Sequence, residues 1–365
     1  MDKKKLAICV SLGSVVVSVL TIFCASLMFK NDNTNYDYLN GGADKVILFI
    51  GDGMGENHIQ VAETKAGKPM FFTNFDKEGY VTTNSLTFAQ PTDSAAGGTA
   101  LATGQKVNNR ELAYHNGKDI QSITEYAKSL GLGVGIVTTD YQTGATPSAF
   151  SSHVKDRDLQ VSILMDQLDA DIDLFFSRTD DVISRYKDSF VEKGYTYIET
   201  SNEMKFTTTK VMGAFEEISY DGAVNNNKQI SLSDVVEYAV EYFEKNYPDG
   251  YFLMVEGAYI DKESHNNDVD GMISHLIEFD KAIKETYMEL GDKSEVCMIV
   301  TADHETGDLS EAETREDISD KLYHSTNHTS KDVKYFIQQD NENINQIDEK
   351  IDNTHIFRIT KALLS

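Results

Sequence analysis

Tryptophan is absent from this chain of 365 residues, proline occurs four times and cysteine three times, and 33 Lys plus Arg face 59 Asp plus Glu. The shortage of basic residues leaves a formal charge of −26. That excludes a nucleic-acid partner, because phosphate backbones are bound by Lys and Arg that displace counterions, and anionic lipid surfaces are repelled for the same reason. Cys9 and Cys24 lie in an N-terminal apolar stretch, so Cys297 has no partner in the rest of the chain and a disulfide scaffold is ruled out. Within Val296-Cys297-Met298-Ile299-Val300 this thiol is expected to be a buried, inert core residue. Few prolines, 24 glycines and 40% hydrophobic residues fit an ordered globular chain and exclude wholesale disorder.

Lys3, Lys4 and Lys5 precede an uncharged run from Leu6 to Phe29 that ends at Lys30. A membrane-crossing helix needs about 20 apolar residues, whereas the apolar core of a cleavable signal has about 7 to 15. Residues 1–35 are therefore expected to form a signal anchor with a short polar linker. The lysines hold its N-terminus in the cytoplasm and place the remainder outside, associated with the membrane. Cleavage after Ser26 would secrete the protein instead. Residues 36–365 read as one catalytic domain, since no repeat, low-complexity block or second linker follows Gly41.

Four apolar runs frame that domain: Val46 to Ile50, Val134 to Thr138, Phe252 to Val255 and Val296 to Thr301. Each is too short for a typical helix and too continuous for a half-exposed strand, which predicts buried parallel strands. Helical segments fall between them. Asp119 is expected to cap Ile120 to Leu130, with Gly131 as terminator, and Ser233 to cap Asp234 to Lys245. The alternation predicts an α/β fold, a three-layer sandwich with a central, mostly parallel sheet flanked by helices.

Asp52, Thr146, Glu256 and Asp303-His304 follow the four strands. Sites in open α/β sheets form outside the carboxyl ends of the strands, so these groups should converge although they span much of the sequence. Asp261 and His265 stand four apart, on one face of a helix, where both can hold one ion. Asp303-His304 adds a carboxylate and an imidazole, and His328 a further imidazole. Imidazole with carboxylate and no thiolate suits zinc, and oxygen-only positions suit magnesium. In Asp93-Ser94-Ala95-Ala96-Gly97-Gly98-Thr99-Ala100 a helix is expected to begin near Ser94. Ser94 reads either as a simple N-cap or as a nucleophile beside the positive end of a helix, and as a nucleophile it needs a base or a metal.

The segments Phe49 to Gly55, Asp93 to Thr103, Ala145-Thr146-Pro147 through Arg157, Val255 to His265, Thr301 to Gly307 and His328-Thr329 together resemble the metal-dependent alkaline phosphatases, in that family's order. The resemblance implies an alkaline phosphatase-like fold and hydrolysis of small phosphomonoesters with an alkaline pH optimum. It makes Ser94 the nucleophile, transiently phosphorylated, and Arg157 the clamp on phosphate. Asp261, His265 and His328 would hold a first zinc. Asp52, Asp303 and His304 would hold a second, with Asp52 shared by a magnesium that Thr146 and Glu256 complete.

Two departures from the family pattern stand out. Gly144 occupies a position where many members carry an acid or a histidine that tunes the magnesium shell, and without it Lys262 is expected to reach toward substrate phosphate. Asp308 to Asn327 is short where larger relatives carry a crown subdomain used in dimer contacts, which leaves a homodimer open. His58, His115, His275, His324 and His355 match no ligand position, and His153 matches a residue that is not a direct ligand. The region from Asp158 to Asn227 carries no family motif and is expected to decorate the site. The competing readings are a phosphodiesterase of the same superfamily and a non-catalytic, metal-stabilised surface binding protein. A sulfatase reading fails because Ala95-Ala96-Gly97 lacks the context that such a nucleophile needs.

Overall fold

The computed structural model describes residues 34–291 and 293–365, and the Leu6 to Phe29 run with its predicted anchor lies outside them. Among the described residues no helix is long and apolar enough to cross a membrane. Residues Asp37–Ser365 form one compact unit.

Its centre is a ten-stranded sheet. In chain order the strands are β1 (Lys45–Gly51), β2 (Lys77–Thr82), β3 (Gly133–Tyr141), β4 (Leu174–Arg178), β5 (Tyr195–Ile198), β6 (Lys210–Phe215), β7 (Tyr251–Gly257), β8 (Val296–Thr301), β9 (Val333–Gln338) and β10 (Lys350–Asp352). They lie in the order β10-β2-β9-β8-β1-β7-β3-β4-β6-β5. Only the two ladders that β9 makes, with β8 and β2, are antiparallel. The four predicted runs are β1, β3, β7 and β8, which sit together in mid-sheet, and every residue of β1, β7 and β8 is buried. A strand covered on both faces has no reason to alternate polar and apolar residues, hence their continuous Val, Ile, Leu and Phe runs. Cys297 is buried in β8, and burial pushes its thiol far up, as an inert core residue requires.

Two helix groups flank the sheet. Glu56–Ala66 and Leu232–Asn246 pack on the long helix Val269–Leu290, while Ala145–Ala149 and Thr354–Leu363 pack on Ser94–Thr103. Two predicted helix starts are corrected. The first helix is Ile123–Ser129, because Ser122 and Glu125 form a reciprocal capping box, and Lys118–Asp119 pairs instead with Tyr114–His115. The second is capped by Ser231, whose hydroxyl accepts from Asp234 N, while the Ser233 amide donates to Glu278.

The larger correction concerns Asp158 to Asn227. It does not decorate the domain: β4, β6 and β5 extend the central sheet itself. The Leu174-Phe175-Phe176 run of β4 is buried like the central strands, although no motif marks it. Asp308 to Asn327 is a connection with two single-turn helices, Arg315–Asp317 and Asp320–Leu322. It lies along Glu56–Ala66, where Asn57 and Gln60 donate to the carbonyls of Leu309 and Ala312.

Candidate metal centre

β1, β7 and β8 deliver their last residues to one end of the sheet. Asp52 follows β1, Glu256 is the penultimate residue of β7 and still pairs in register with Thr138 of β3, and Asp303-His304 follow β8. Close approach there depends on glycine. Gly53 has φ +70°, and a Cβ on it would stand 2.7 Å from Asp261 Oδ1. A Cβ on Gly97, in the Ser94–Thr103 helix, would meet the Asp303 carbonyl at 2.9 Å, so the small residues after Ser94 do admit a neighbour.

Two clusters form around His304. The ligand atoms of Asp52, Asp303 and His304 lie within 4.8 Å of one another, as do those of Asp261, His304 and His328. His265 joins the second cluster, with its Nε2 3.0 Å from His328 Nε2 and 3.3 Å from Asp261 Oδ2. Ser94 Oγ lies 3.3 Å from His304 Nε2, against the residue that the clusters share. The first cluster is fully enclosed, whereas the His265 side chain is 38% exposed, so the second opens to solvent.

The chemistry of these donors fits cations. His265 Nδ1 faces the Thr326 carbonyl at 2.6 Å and His328 Nδ1 the Thr92 carbonyl at 2.8 Å. A carbonyl only accepts, so each Nδ1 carries the proton and each Nε2 presents a lone pair. Two such lone pairs 3.0 Å apart repel unless a cation lies against both. The carboxylates make the same point. Asp52 Oδ1, Asp303 Oδ2 and Thr146 Oγ1 are buried without a hydrogen-bond partner of normal geometry. Burial, and then the neighbouring Asp303, Asp261 and Glu256 charges, push the Asp52 carboxyl far above its usual range. Burial, with Asp261 beside it, raises Asp303 to about 7, and burial, with Asp140, raises Glu256 to about 8. Burial also depresses His304 well below the usual imidazole range and lowers His328. Asp261 moves the other way: burial would raise it, but the His265, His304 and His328 rings around it, when they carry protons in place of a cation, hold it below the usual carboxylate range. Acids crowded in this way are stabilised by cations.

Ser94 opens its helix. Asp93 caps it by accepting from Ala96 N at 3.0 Å, and also takes Arg157 Nη1 at 3.3 Å and the Arg110 amide. Arg157 is thereby held near the start of the Ser94 helix. Thr146 and Glu256 meet in the corner between β3 and β7, where the Thr138 hydroxyl donates to Glu256. Lys262, expected to reach toward phosphate, forms an ion pair with Asp140.

Several groups escaped sequence reading: Asp140, Thr138, the capping and Arg-holding role of Asp93, and Thr306, whose hydroxyl donates to Asp261. Asp140 was open to discovery, being an acid near the carboxyl end of a predicted strand. The partners of Thr138 and Thr306 depend on tertiary register and left no local signal. The remaining histidines stand apart from both clusters in structural roles. His58 bonds Ser264, His275 stacks on Tyr259, and His153 pairs with Glu125.

A family model described as alkaline phosphatase matches residues 43–188 and 176–361. The chain is 32% identical over 291 residues to alkaline phosphatase 3 of Bacillus subtilis, a match covering 73% of this chain and 62% of that protein. It spans about three fifths of the length of the Bacillus relatives it matches. Among solved structures, the alkaline phosphatase of the Antarctic bacterium TAB5 is similar with a TM-score of 0.72 and 25% identity, covering 89% of this chain and 98% of the other. A variant of that protein with Mg bound in the M3 site is similar at a TM-score of 0.71 and 25% identity, with coverages of 89% and 99%.

Proposed function

The chain belongs to the alkaline phosphatase family, and on that footing we propose that it hydrolyses phosphate monoesters to an alcohol and inorganic phosphate through a phosphoserine on Ser94. The observation that carries this reading is the position of Ser94 Oγ, 3.3 Å from the Nε2 of His304, a residue common to two ligand clusters. A binding protein has no need of a hydroxyl there.

In this reading Asp261, His265 and His328 hold one zinc, and Asp52, Asp303 and His304 hold a second. Asp52, Thr146 and Glu256 hold a magnesium, in keeping with the Mg bound in the M3 site of the TAB5 variant. Such cations lower the pKa of a bound hydroxyl and neutralise a leaving alkoxide.

The residues of the chain do the positioning. Ser94 gives up its hydroxyl proton as Oγ forms a bond to phosphorus, and the P–O bond to the ester oxygen breaks on the opposite side, that oxygen taking up a proton to leave as the alcohol. Water then displaces the serine oxygen, releasing phosphate and restoring Ser94. Arg157, lightly tethered to Asp93 at 3.3 Å, offers paired N–H donors to two phosphoryl oxygens, a geometry that a lysine ammonium does not reproduce. The helix beginning at Ser94 directs its free N–H groups at the same charge. Most of the rate comes from position and electrostatics rather than proton transfer. Since metal ligands act deprotonated, activity rises toward alkaline pH. Residues 1–35 carry the domain out of the cytoplasm as an anchor.

The test is hydrolysis of p-nitrophenyl phosphate beside bis-(p-nitrophenyl) phosphate, before and after chelation and after return of zinc and magnesium. Metal-restored activity that prefers the monoester supports the proposal. Preference for the diester, or an inactive zinc-loaded protein, refutes it.

A further inference from the structure

The Glu256 corner departs from the family pattern, and the structure shows what fills the departure. Gly144 stands two residues before Thr146 and carries no side chain. A Cβ built there would lie 2.5 Å from Asp140 Oδ2 and 2.9 Å from Asp140 Cγ. The Asp140 carboxylate therefore occupies the space in which a side chain at 144 would begin. Register holds it there: its amide donates to Thr138 Oγ1 at 2.8 Å, and the same hydroxyl donates to Glu256. The Asp140 side chain is only 16% exposed, and its one counter-ion among the described residues is Lys262, next to the ligand Asp261. Around this corner Thr146 Oγ1 and Asp52 Oδ1 are buried without a hydrogen-bond partner of normal geometry.

We infer that Asp140, reaching from the end of β3, is the outer carboxylate of the third cation site and replaces the side chain missing at Gly144. The inference rests on the third-site assignment of Asp52, Thr146 and Glu256 given above. Together with Asp140 the corner offers oxygen donors alone, and such a set suits a hard cation that keeps several waters, magnesium rather than zinc. Asp140 accepts hydrogen bonds from the retained waters, and outer partners of this kind commonly change metal affinity 10- to 100-fold. Lys262 has a second part: its ammonium pairs with Asp140 and offsets the repulsion between that carboxylate and Glu256.

Magnesium binding to the zinc-loaded protein, followed by titration calorimetry with metal content measured in parallel, tests this without reference to turnover. Asp140→Asn is expected to weaken magnesium at least tenfold while two zincs remain. The exchange Asp140→Gly with Gly144→Asp, which returns the carboxylate from the other side, is expected to restore binding. Gly144 has φ −58°, which other residues adopt, and once Asp140 is gone the closest neighbour left to a Cβ there is the Tyr141 carbonyl at 2.9 Å, so the exchange requires a small shift of that turn. Magnesium affinity of Asp140→Asn within twofold of the parent would overturn the inference and leave the third site standing. An exchange variant that folds, keeps its zincs and does not recover magnesium would also overturn it. A parent protein that binds no magnesium would overturn both the inference and the third-site assignment.

Discussion

One edge of the central sheet and its middle handle charge in opposite ways. Around β4, β5 and β6, lysines meet carboxylates in the open: Lys193 with Asp169, Lys187 with Glu199 and Lys210 with Asp171. At the carboxyl ends of β1 and β8, Asp52 and Asp303 are buried and meet no Lys or Arg. Exposed pairs are worth about 0 to 1 kcal/mol and are screened by salt, whereas a buried carboxylate without a counter-charge costs several kcal/mol. The flank therefore tolerates change in its charges. The centre is built to be stabilised by cations, and on the function proposed above the same cations would supply its chemistry.

The largest contrast is expected from Ser94→Ala, which should lower monoesterase turnover by roughly a thousandfold or more, as loss of a nucleophile does, with zinc content unchanged. Steady-state rates with parallel metal analysis check this. Chelation should abolish activity and lower the melting temperature in calorimetry, both reversed by zinc and magnesium, because a ligand that binds only the folded state stabilises it. An apo-protein that melts where the loaded one does would erase the distinction between centre and flank. Arg157→Ala should reduce kcat/KM about 10- to 100-fold, the worth of charge-assisted hydrogen bonds, with Arg157→Lys recovering only part of it.

A smaller effect separates structural histidines from ligands. The hydrogen bond to Glu125, opposed by partial burial, raises His153 to about 9. Its folded value exceeds the unfolded value of about 6.5, so its contribution to stability is complete below about pH 6.5 and is lost as pH rises through about 9. The melting-temperature difference between the parent and His153→Gln should accordingly shrink over that window. A difference constant from pH 6 to 10 would contradict the pairing. Least of all, Lys193→Ala should change stability by no more than about 0.5 kcal/mol in denaturant unfolding and leave turnover as it was.

The same contrast explains how far sequence reading reached. The central strands announced themselves because burial on both faces demands unbroken apolar runs, and the groups that follow them converge by sheet topology alone. Asp52, Asp303, His304, Asp261, His265 and His328 could thus be gathered before any coordinates. The outer strands were missed because β5 is four residues long with only Tyr195 and Ile198 buried, and β6 follows polar turns, so neither exceeds the local background. Helix starts slipped where two candidate caps stood close together, and the competition between Ser231 and Ser233 was decided by Glu278, distant in sequence. Asp140 escaped because its significance comes from Gly144, a residue notable for what it does not carry, and only the fold shows that one fills the space of the other.

The central claim is that Ser94 attacks phosphorus within the double cluster around His304. Acid quenching of the zinc-loaded protein during turnover of a phosphate monoester, followed by peptide mass spectrometry, tests it. The account predicts a phosphorylated peptide bearing the modification at Ser94, absent after chelation and absent in Ser94→Ala. Turnover by the parent with no phosphate trapped on Ser94, accompanied by activity surviving in Ser94→Ala, would contradict it.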